Sequence, residues 1–349
     1  MAAPVCRVLG LLWGALLFLL MSCSSSGSHK ETDRNVSVDS LQRDSIATTR
    51  WTLDTLNALL AKRPQATGLR LQRARRLQQQ ARYRDALEDV NRVLQQDSSR
   101  VDAYLLQAEL YWDMAYPQGT LQALRRAQQR SPDDARLGKL LGRYLWMMKE
   151  HEASFQALNK SLERDPYQPE IYFIKGMNYK EMKRPERAIS NFQTAIELDP
   201  DYYEAYFQLG VLYTDSMKQD LGRDYLQRAL ELEPGRGDVL FALADYWRKR
   251  DSMSRAADRY RQVLRVSSHR PAVHYNLGFS LWAMDSFELA VRHFGQAHRM
   301  APENKNYLYA LGMARLDAAD TSGARNAFQQ ALDLDPSYAD ARQALNMLP

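Results

Sequence analysis

Proline recurs along this chain at intervals of 34 residues. Of the nine positions in the series, seven are proline and two are serine: Pro64, Ser98, Pro132, Pro166, Pro200, Pro234, Ser268, Pro302 and Pro336. The whole chain contains only 13 prolines, so chance does not explain the series. A fixed period of this length indicates a repeat architecture, in which each copy is one small supersecondary unit that packs on the next.

Small and large residues keep the same period. One position is glycine or alanine in every copy: Gly312, Gly278, Ala244, Gly210, Gly176, Gly142, Ala108 and Ala74. A later position is larger: Phe328, Phe294, Tyr260, Leu226, Phe192, Leu158, Leu124 and Val90. In the last copy, apolar residues spaced three and four apart indicate two helices of about a dozen residues each. Helices this short are not stable alone in water, so each copy must bury its apolar face on a neighbour.

This arrangement resembles the tetratricopeptide repeat, a helix–turn–helix unit of about 34 residues. The resemblance covers residues 65–336 as eight repeats without insertion or deletion. It implies an all-α fold, namely a right-handed superhelical solenoid of helix–turn–helix repeats with terminal capping helices. Caps are expected in residues 49–64 and 337–349, because the open ends of a solenoid need covering. In the second cap, the covering residues would be Tyr338, Ala341, Leu345 and Met347.

The amino terminus reads as a secretory signal in residues 1–22. Arg7 precedes an apolar stretch that is too short to span a bilayer comfortably as a permanent helix. The stretch ends in Leu20-Met21-Ser22-Cys23, which resembles a bacterial lipobox and implies that Cys23 becomes the diacylated first residue of the mature protein. The alternative is an ordinary signal peptide that is cut a few residues later. Residues 23–48 are too polar to bury a core and are expected to form a disordered tether.

In the family that the repeats resemble, the first helix of each repeat lines the concave face where partners bind. Its fifth, ninth and twelfth positions share one side of the helix. In the carboxy-terminal half these positions form an aromatic and methionine-rich strip: Phe173, Met177, Phe207, Val211, Phe241, Asp245, Tyr275, Phe279, Trp282, Tyr309 and Met313. Aromatic anchors in a groove suit an extended or helical partner segment. The alternative is that the fifth-position rings pack against the neighbouring helix.

The amino-terminal half has different side chains at the equivalent positions and next to them. They form a largely charged surface: Glu109, Trp112, Arg136, Lys139 and Arg143. This surface is a possible second binding region. Some family members clamp the terminal carboxylate of a chaperone with lysine and asparagine. Here Lys139 matches that pattern but Arg143 replaces the asparagine, so that activity is not expected.

Composition argues against several other functions. The two cysteines, Cys6 and Cys23, leave the repeats without a disulfide or a cysteine-based metal site. The six histidines show no metal-ligand spacing, and no nucleophile or phosphate-loop motif occurs. No metal, cofactor or catalytic residue is therefore expected. The net charge of +5 is concentrated in residues 51–100, which either face an anionic surface or form an arginine-rich solvated face.

The sequence therefore predicts a non-enzymatic adaptor, tethered to a membrane of the bacterial cell envelope, that binds other envelope proteins. Ser24 follows the lipobox cysteine, and the absence of aspartate there suggests the outer membrane, facing the periplasm. Nucleic acid is not expected as a partner of a secreted chain. Two alternatives remain open: a structural spacer or self-associating homo-oligomer, and a protein that binds carbohydrate or peptidoglycan through the aromatic strip.

Overall fold

The computed structural model describes residues 51–216, 219–267 and 269–348. The regular structure in these residues is entirely α-helical. Among the described helices, none combines the length and the apolar character that a membrane span requires. The predicted signal in residues 1–22, the predicted tether in residues 23–48 and the predicted lipidation site Cys23 lie outside the described residues.

Eighteen α-helices occur in the described part of the chain. They are α1 (Leu53–Lys62), α2 (Thr67–Gln79), α3 (Tyr83–Gln96), α4 (Val101–Asp113), α5 (Pro117–Arg130), α6 (Ala135–Met147), α7 (His151–Leu162), α8 (Pro169–Glu181), α9 (Pro185–Leu198), α10 (Tyr203–Thr214), α11 (Gln219–Leu232), α12 (Gly237–Lys249), α13 (Met253–Val266), α14 (Pro271–Trp282), α15 (Phe287–Met300), α16 (Lys305–Asp317), α17 (Thr321–Leu334) and α18 (Ala339–Asn346).

The helices from α2 to α17 form eight successive pairs, each of which packs mainly on itself and on the next pair. We call the even-numbered members, α2 to α16, the first helices, and the odd-numbered members, α3 to α17, the second helices. The predicted all-α solenoid of helix–turn–helix repeats is confirmed. The pairs follow one another in the register that the proline series predicts.

Two further helices lie in the segments where caps were predicted. α1 precedes the first pair and packs on α2, and α18 follows the last pair and packs on α17. Ala341 of α18 is buried, and the Tyr338 ring lies 5.5 Å from the Tyr309 ring between their centroids. The expectation that Met347 covers the last repeat is wrong: it follows the end of α18 and is 71% exposed.

Close contact between the two helices of a pair explains the periodic small residue. A Cβ atom built at Gly176 of α8 would lie 2.5 Å from Cε1 of Phe192 on α9. At Gly210 of α10 it would lie 2.6 Å from Cγ and 3.0 Å from the backbone nitrogen of Leu226 on α11. The large residue of the second helix therefore occupies the space that the missing side chain of the first helix leaves. This side-by-side packing builds one core inside each pair.

The turn between the two helices of a pair has a backbone feature that the sequence did not suggest. One residue adopts the left-handed conformation at the same position in seven repeats: Ala81, Ala115, Lys149, Lys183, Asp251, Asp285 and Ala319, with φ between 53° and 62°. The equivalent position of the fifth repeat lies outside the described residues. In the second repeat, the Ala115 amide donates to Trp112 O and the Tyr116 amide to Tyr111 O. This Schellman arrangement satisfies the last carbonyl groups of the first helix.

The first repeat also contains a buried ion cluster. Asp89 of α3 is 2% exposed, and its carboxylate accepts hydrogen bonds from Arg73 Nε at 2.7 Å and Arg70 Nη1 at 3.3 Å. Arg70 also donates to Pro64 O at 2.6 Å. A buried carboxylate is stable only when it is paired in this way. Part of the arginine excess in residues 51–100 is therefore structural.

Candidate functional site

Successive first helices lie side by side, and we call the surface made by their fifth, ninth and twelfth positions the first-helix face. Side chains connect these helices across repeat boundaries. Trp146 Nε1 of α6 donates to Glu181 of α8 at 2.9 Å, and Trp282 Nε1 of α14 donates to Asp317 of α16 at 2.6 Å. These tryptophans therefore hold neighbouring repeats together with their only polar group. Trp282, predicted to contact a partner, is tied to the next repeat in this way.

The fifth-position aromatic rings of the first-helix face are half-buried. Most of them pack on the large residue of the second helix in the same repeat. Ring centroids are 5.6 Å apart for Phe173 and Phe192, 5.7 Å for Phe241 and Tyr260, 5.5 Å for Tyr275 and Phe294, and 5.8 Å for Tyr309 and Phe328. Phe207 instead packs on the apolar cluster that contains Leu226. Phe173 and Tyr275 also contact Tyr202 and Tyr307 of the next repeat, at 5.4 and 5.1 Å between ring centroids. Each ring thus packs on neighbouring side chains while part of its surface stays accessible.

The ninth-position residues Met177, Val211, Phe279 and Met313 are also half-buried. Asp245 differs from them in its contacts. Its carboxylate accepts a short hydrogen bond from the Tyr260 hydroxyl and longer ones from Asn276 Nδ2 and Arg248 Nε, both at 3.4 Å. Burial and this carboxylate raise the pKa of Tyr260 well above its usual range. Asp245 therefore links α12 to α13 and α14 as well as lying on the first-helix face.

A cavity of about 400 Å³ opens on the first-helix face between α10 and α12. Four residues predicted for the groove line it: Phe207, Val211, Phe241 and Asp245. The rest of the lining was not predicted: Thr214, Asp215, Asp238, Ala242, Tyr246, Lys249 and Arg270. Binding pockets typically have volumes of about 300–1,000 Å³ and apolar walls with a few polar groups. The structure thus brings part of the predicted strip together into one concave site, which we call the α10–α12 cavity.

The acidic residues of the α10–α12 cavity already have cationic partners. Asp215 accepts from Lys249 Nζ at 2.7 Å, and Asp238 pairs with Arg236 Nη2 at 2.8 Å. The hydrogen bond from Arg236 is the main reason that the pKa of Asp238 lies below its usual value, although burial opposes the shift. The Asp238 carboxylate therefore stays ionised near neutral pH. The charge of both carboxylates is compensated inside the wall of the cavity.

The charged surface predicted for the amino-terminal half is paired in the same manner. Glu170 of α8 binds both Lys139, at 2.6 Å, and Arg143, and so links α6 to the next first helix. Arg136 pairs with Asp134 of its own helix start at 2.6 Å. These cations are therefore engaged by neighbouring acids, and Glu170 was missed because it lies one repeat further on.

Glu109 and Trp112 complete the predicted charged surface. Burial raises the pKa of the Glu109 carboxyl above its usual value, while nearby Arg75 opposes that shift. The Trp112 ring lies 5.0 Å from the Tyr144 ring on the next first helix, so this tryptophan also contacts the neighbouring repeat. In this half of the first-helix face, both ion pairs and aromatic ring contacts join neighbouring repeats.

No group of three or more histidine, cysteine, aspartate or glutamate side chains in the described ranges could hold a metal ion. Two histidines do meet. His274 Nδ1 of α14 and His293 Nδ1 of α15 are 3.1 Å apart, and their rings stack with centroids 5.3 Å apart. Burial, with smaller contributions from His274 and Arg261, lowers the pKa of His293 to about 4. This pair is part of the packing between two helices of one repeat.

Sequence models of a known repeat match most of the chain. A model of the tetratricopeptide repeat matches residues 71–113, 119–169 and 275–339, and a second model with that description matches 203–236. A third, described as TPR repeat, matches residues 176–215. The chain belongs to the tetratricopeptide repeat family. The matches leave out residues 237–274, yet the structure places the tetratricopeptide helix pair α12 and α13 there.

Solved tetratricopeptide structures share this fold at low sequence identity. The Cut9–Hcn1 hetero-tetramer structure of the APC/C is 19% identical with a TM-score of 0.53 over 84% of this chain and 57% of that chain. The chain thus spans little more than half of that relative. YrrB, described as a TPR protein with an unusual peptide-binding site, is 19% identical with a TM-score of 0.50 over 55% of this chain and 98% of its own.

PilF of Pseudomonas aeruginosa is 16% identical with a TM-score of 0.53 over 60% of this chain and 95% of its own. At these identities the likeness to the three structures shows the fold alone. Among curated proteins, none matches the sequence.

Proposed function

We propose that the protein is a protein–protein interaction adaptor that holds a segment of a partner on its first-helix face, at the α10–α12 cavity. The observation that carries the proposal is the convergence of Phe207, Val211 and Phe241 on one open cavity of about 400 Å³. Half-buried aromatic walls offer a partner rigid apolar surface that is already ordered before binding. The described peptide binding of YrrB supports the same use of this fold.

In this function the chain binds a partner and catalyses no reaction. A tetratricopeptide solenoid offers long rows of helix faces, and an extended or helical peptide can lie across several of them. Here the cavity is lined by residues of α10 and α12 and by Arg270, which immediately precedes α14. A bound segment would therefore contact three successive repeats.

We further propose that the adaptor is anchored to a membrane of the bacterial cell envelope through lipid on Cys23. The support is the lipobox-like sequence alone. Two or more acyl chains would give stable anchoring, because each buried methylene contributes about 0.8 kcal/mol. Residues 23–48 would then connect the lipid to the repeats, and a polar chain of that length typically spans ~25–30 Å. The partners would be other proteins of the envelope.

The adaptor proposal is tested by cross-linking and pull-down of the full chain from native membranes. Wild type is compared with Phe207→Ala/Phe241→Ala, after thermal unfolding has shown that the variant still folds. Leu334→Ala is the matched control, since Leu334 is 47% exposed at the end of a second helix. We expect a defined set of envelope proteins to be lost from the double variant and kept by the control.

Other outcomes of this experiment would replace the proposal. Capture of the same proteins by all three forms would mean that the aromatic strip only packs. Capture of nothing but further copies of the chain would favour the self-associating spacer. Retention on purified peptidoglycan that depends on Phe207 and Phe241 would favour a carbohydrate-binding protein.

A further inference from the structure

Arg270 occupies a distinctive place in the α10–α12 cavity. It is the residue immediately before α14, its side chain is exposed, and it lines the rim of the cavity. Within the described ranges its guanidinium has no hydrogen-bond or ion-pair partner. Arginine presents five donors in a planar fork, so an unpartnered one at the rim of a partly apolar cavity is suited to an incoming acceptor.

The other charged groups in the wall do not compete for that role. Asp215 is paired with Lys249 at 2.7 Å, and Asp245 with Arg248 at 3.4 Å. Asp238 is held by Arg236, whose guanidinium donates from Nε at 3.1 Å and from Nη2 at 2.8 Å. Each lining carboxylate thus has its own cation. Arg270 is the lining charge that remains uncompensated in the described part of the chain.

Part of the cavity lining is apolar. Phe207 and Val211 come from α10, and Phe241 and Ala242 from α12. Phe241 packs edge-on against Tyr260, so its ring is held in place in the cavity wall. The site therefore combines a fixed apolar wall with one free cation at its rim.

We propose that this cavity selects partner segments in which a large apolar side chain is followed or preceded closely by a carboxylate. The apolar side chain would lie between Phe207 and Phe241, and the carboxylate would pair with Arg270 in the two-pronged geometry that arginine favours. This inference rests on the proposed adaptor function and names the chemistry of the partner that the function leaves open.

The exposure of Arg270 determines how much it can contribute to binding. Arg270 is solvent-exposed, so its pair with a carboxylate is screened and contributes modestly. Removing it should weaken binding about 2- to 5-fold, whereas reversing its charge should weaken the binding of an acidic peptide further and favour a basic one. The apolar anchor should contribute more, because buried aromatic contacts dominate such interfaces.

The test uses a library of random 12-residue peptides displayed on phage and selected on the full chain. Parallel selections use Arg270→Glu and Arg292→Glu. Arg292 is exposed on the second helix α15, so its variant changes the net charge equally without touching the cavity. This control matters because the chain carries a formal charge of +5 and attracts acidic peptides in general.

We expect wild type and Arg292→Glu to enrich peptides with an apolar residue and an acidic residue at a constant short separation. Arg270→Glu should lose the acidic preference and enrich lysine or arginine there. The affinity of the best wild-type peptide, measured by fluorescence anisotropy, should fall about 10-fold or more in Phe241→Ala and in Arg270→Glu.

The possible results distinguish the role of Arg270 from the adaptor function on which it rests. If selected peptides depend on Phe241 but show the same acidic preference on Arg270→Glu, the adaptor stands and the role of Arg270 is wrong. If no peptide is enriched, or if binding ignores Phe241, both fail. If wild type sediments as a dimer that Arg270→Glu dissociates, the occupant is a second copy and the partner-segment inference is overturned.

Discussion

Replacing Gly210 by alanine tests whether the close approach of the two helices in each repeat governs stability. Gly210 lies within α10, and its new Cβ would meet Leu226 Cγ at 2.6 Å and the Leu226 backbone nitrogen at 3.0 Å. Cγ is a branch point close to the backbone and cannot swing away like the end of a long side chain. Inserting one carbon into a well-packed core typically costs about 1–3 kcal/mol.

The same substitution removes a glycine from a helix interior, which alone stabilises by about 0.5–1 kcal/mol. Gly295 of α15 isolates this second effect. It also lies inside a helix, but a Cβ there would meet nothing closer than Arg299 Nη1 at 3.8 Å. Gly295→Ala should therefore stabilise the protein. Gly210→Ala should destabilise it by about 0.5–2 kcal/mol, because overpacking exceeds the gain in helix propensity.

Urea unfolding followed by circular dichroism gives the overall change for both variants. Solenoids can unfold in parts, so hydrogen exchange at amides of α10 and α11 should be measured as well. If overpacking governs stability at this site, exchange in these two helices is faster in Gly210→Ala and unchanged in Gly295→Ala. Equal stability changes of the same sign in the two variants would refute this explanation.

Three further predictions follow from single sites. The pKa of His293 is about 4 in the folded chain, against an ordinary value of 6.5. Between pH 6.5 and pH 4 the unfolded state therefore binds more protons than the folded state, and the free energy of unfolding falls as the pH drops through this range. Urea unfolding at both ends of this range should show that wild type loses about 1–3 kcal/mol more stability than His293→Gln. Equal changes in the stability of the two proteins would contradict this prediction. Ala319 has φ of 62°, so Ala319→Gly should raise the free energy of unfolding by about 0.5–1 kcal/mol in thermal unfolding, while Ala318→Gly, at φ of −82°, should not. Cys23→Ser should move the protein from membrane to soluble fractions and abolish palmitate labelling; membrane association that survives this change would remove the lipid anchor from the proposal.

The sequence predicted the fold well because every repeat must satisfy the same packing geometry. Gly176 and Phe192 could be assigned to facing helices from the period alone, since each of them recurs as a small or large residue 34 positions away. The positions that line the first-helix face followed from the same period. Phe207 and Phe241 could thus be placed on one wall before any contact was known.

The contacts that differ from repeat to repeat could not be predicted in this way. Glu170 binds Lys139 across a repeat boundary, and this pairing does not recur with the period, because Phe173 replaces Lys139 one repeat later. Asp245 was expected to face a partner, but the hydroxyl of Tyr260 also binds its carboxylate. Arg270 lies before a helix, and only the folded backbone brings it to the rim of the cavity.

The indole hydrogen bonds from Trp146 to Glu181 and from Trp282 to Asp317 also have a mechanical consequence. A pull along the stack separates neighbouring first helices, so these two bonds must break before their repeats can part. They join the third repeat to the fourth and the seventh to the eighth, on either side of the α10–α12 cavity. Between them, the pair of Lys249 with Asp215 ties α12 to the end of α10 at 2.7 Å, so a load on the chain would have to break this pair as well before the cavity could widen.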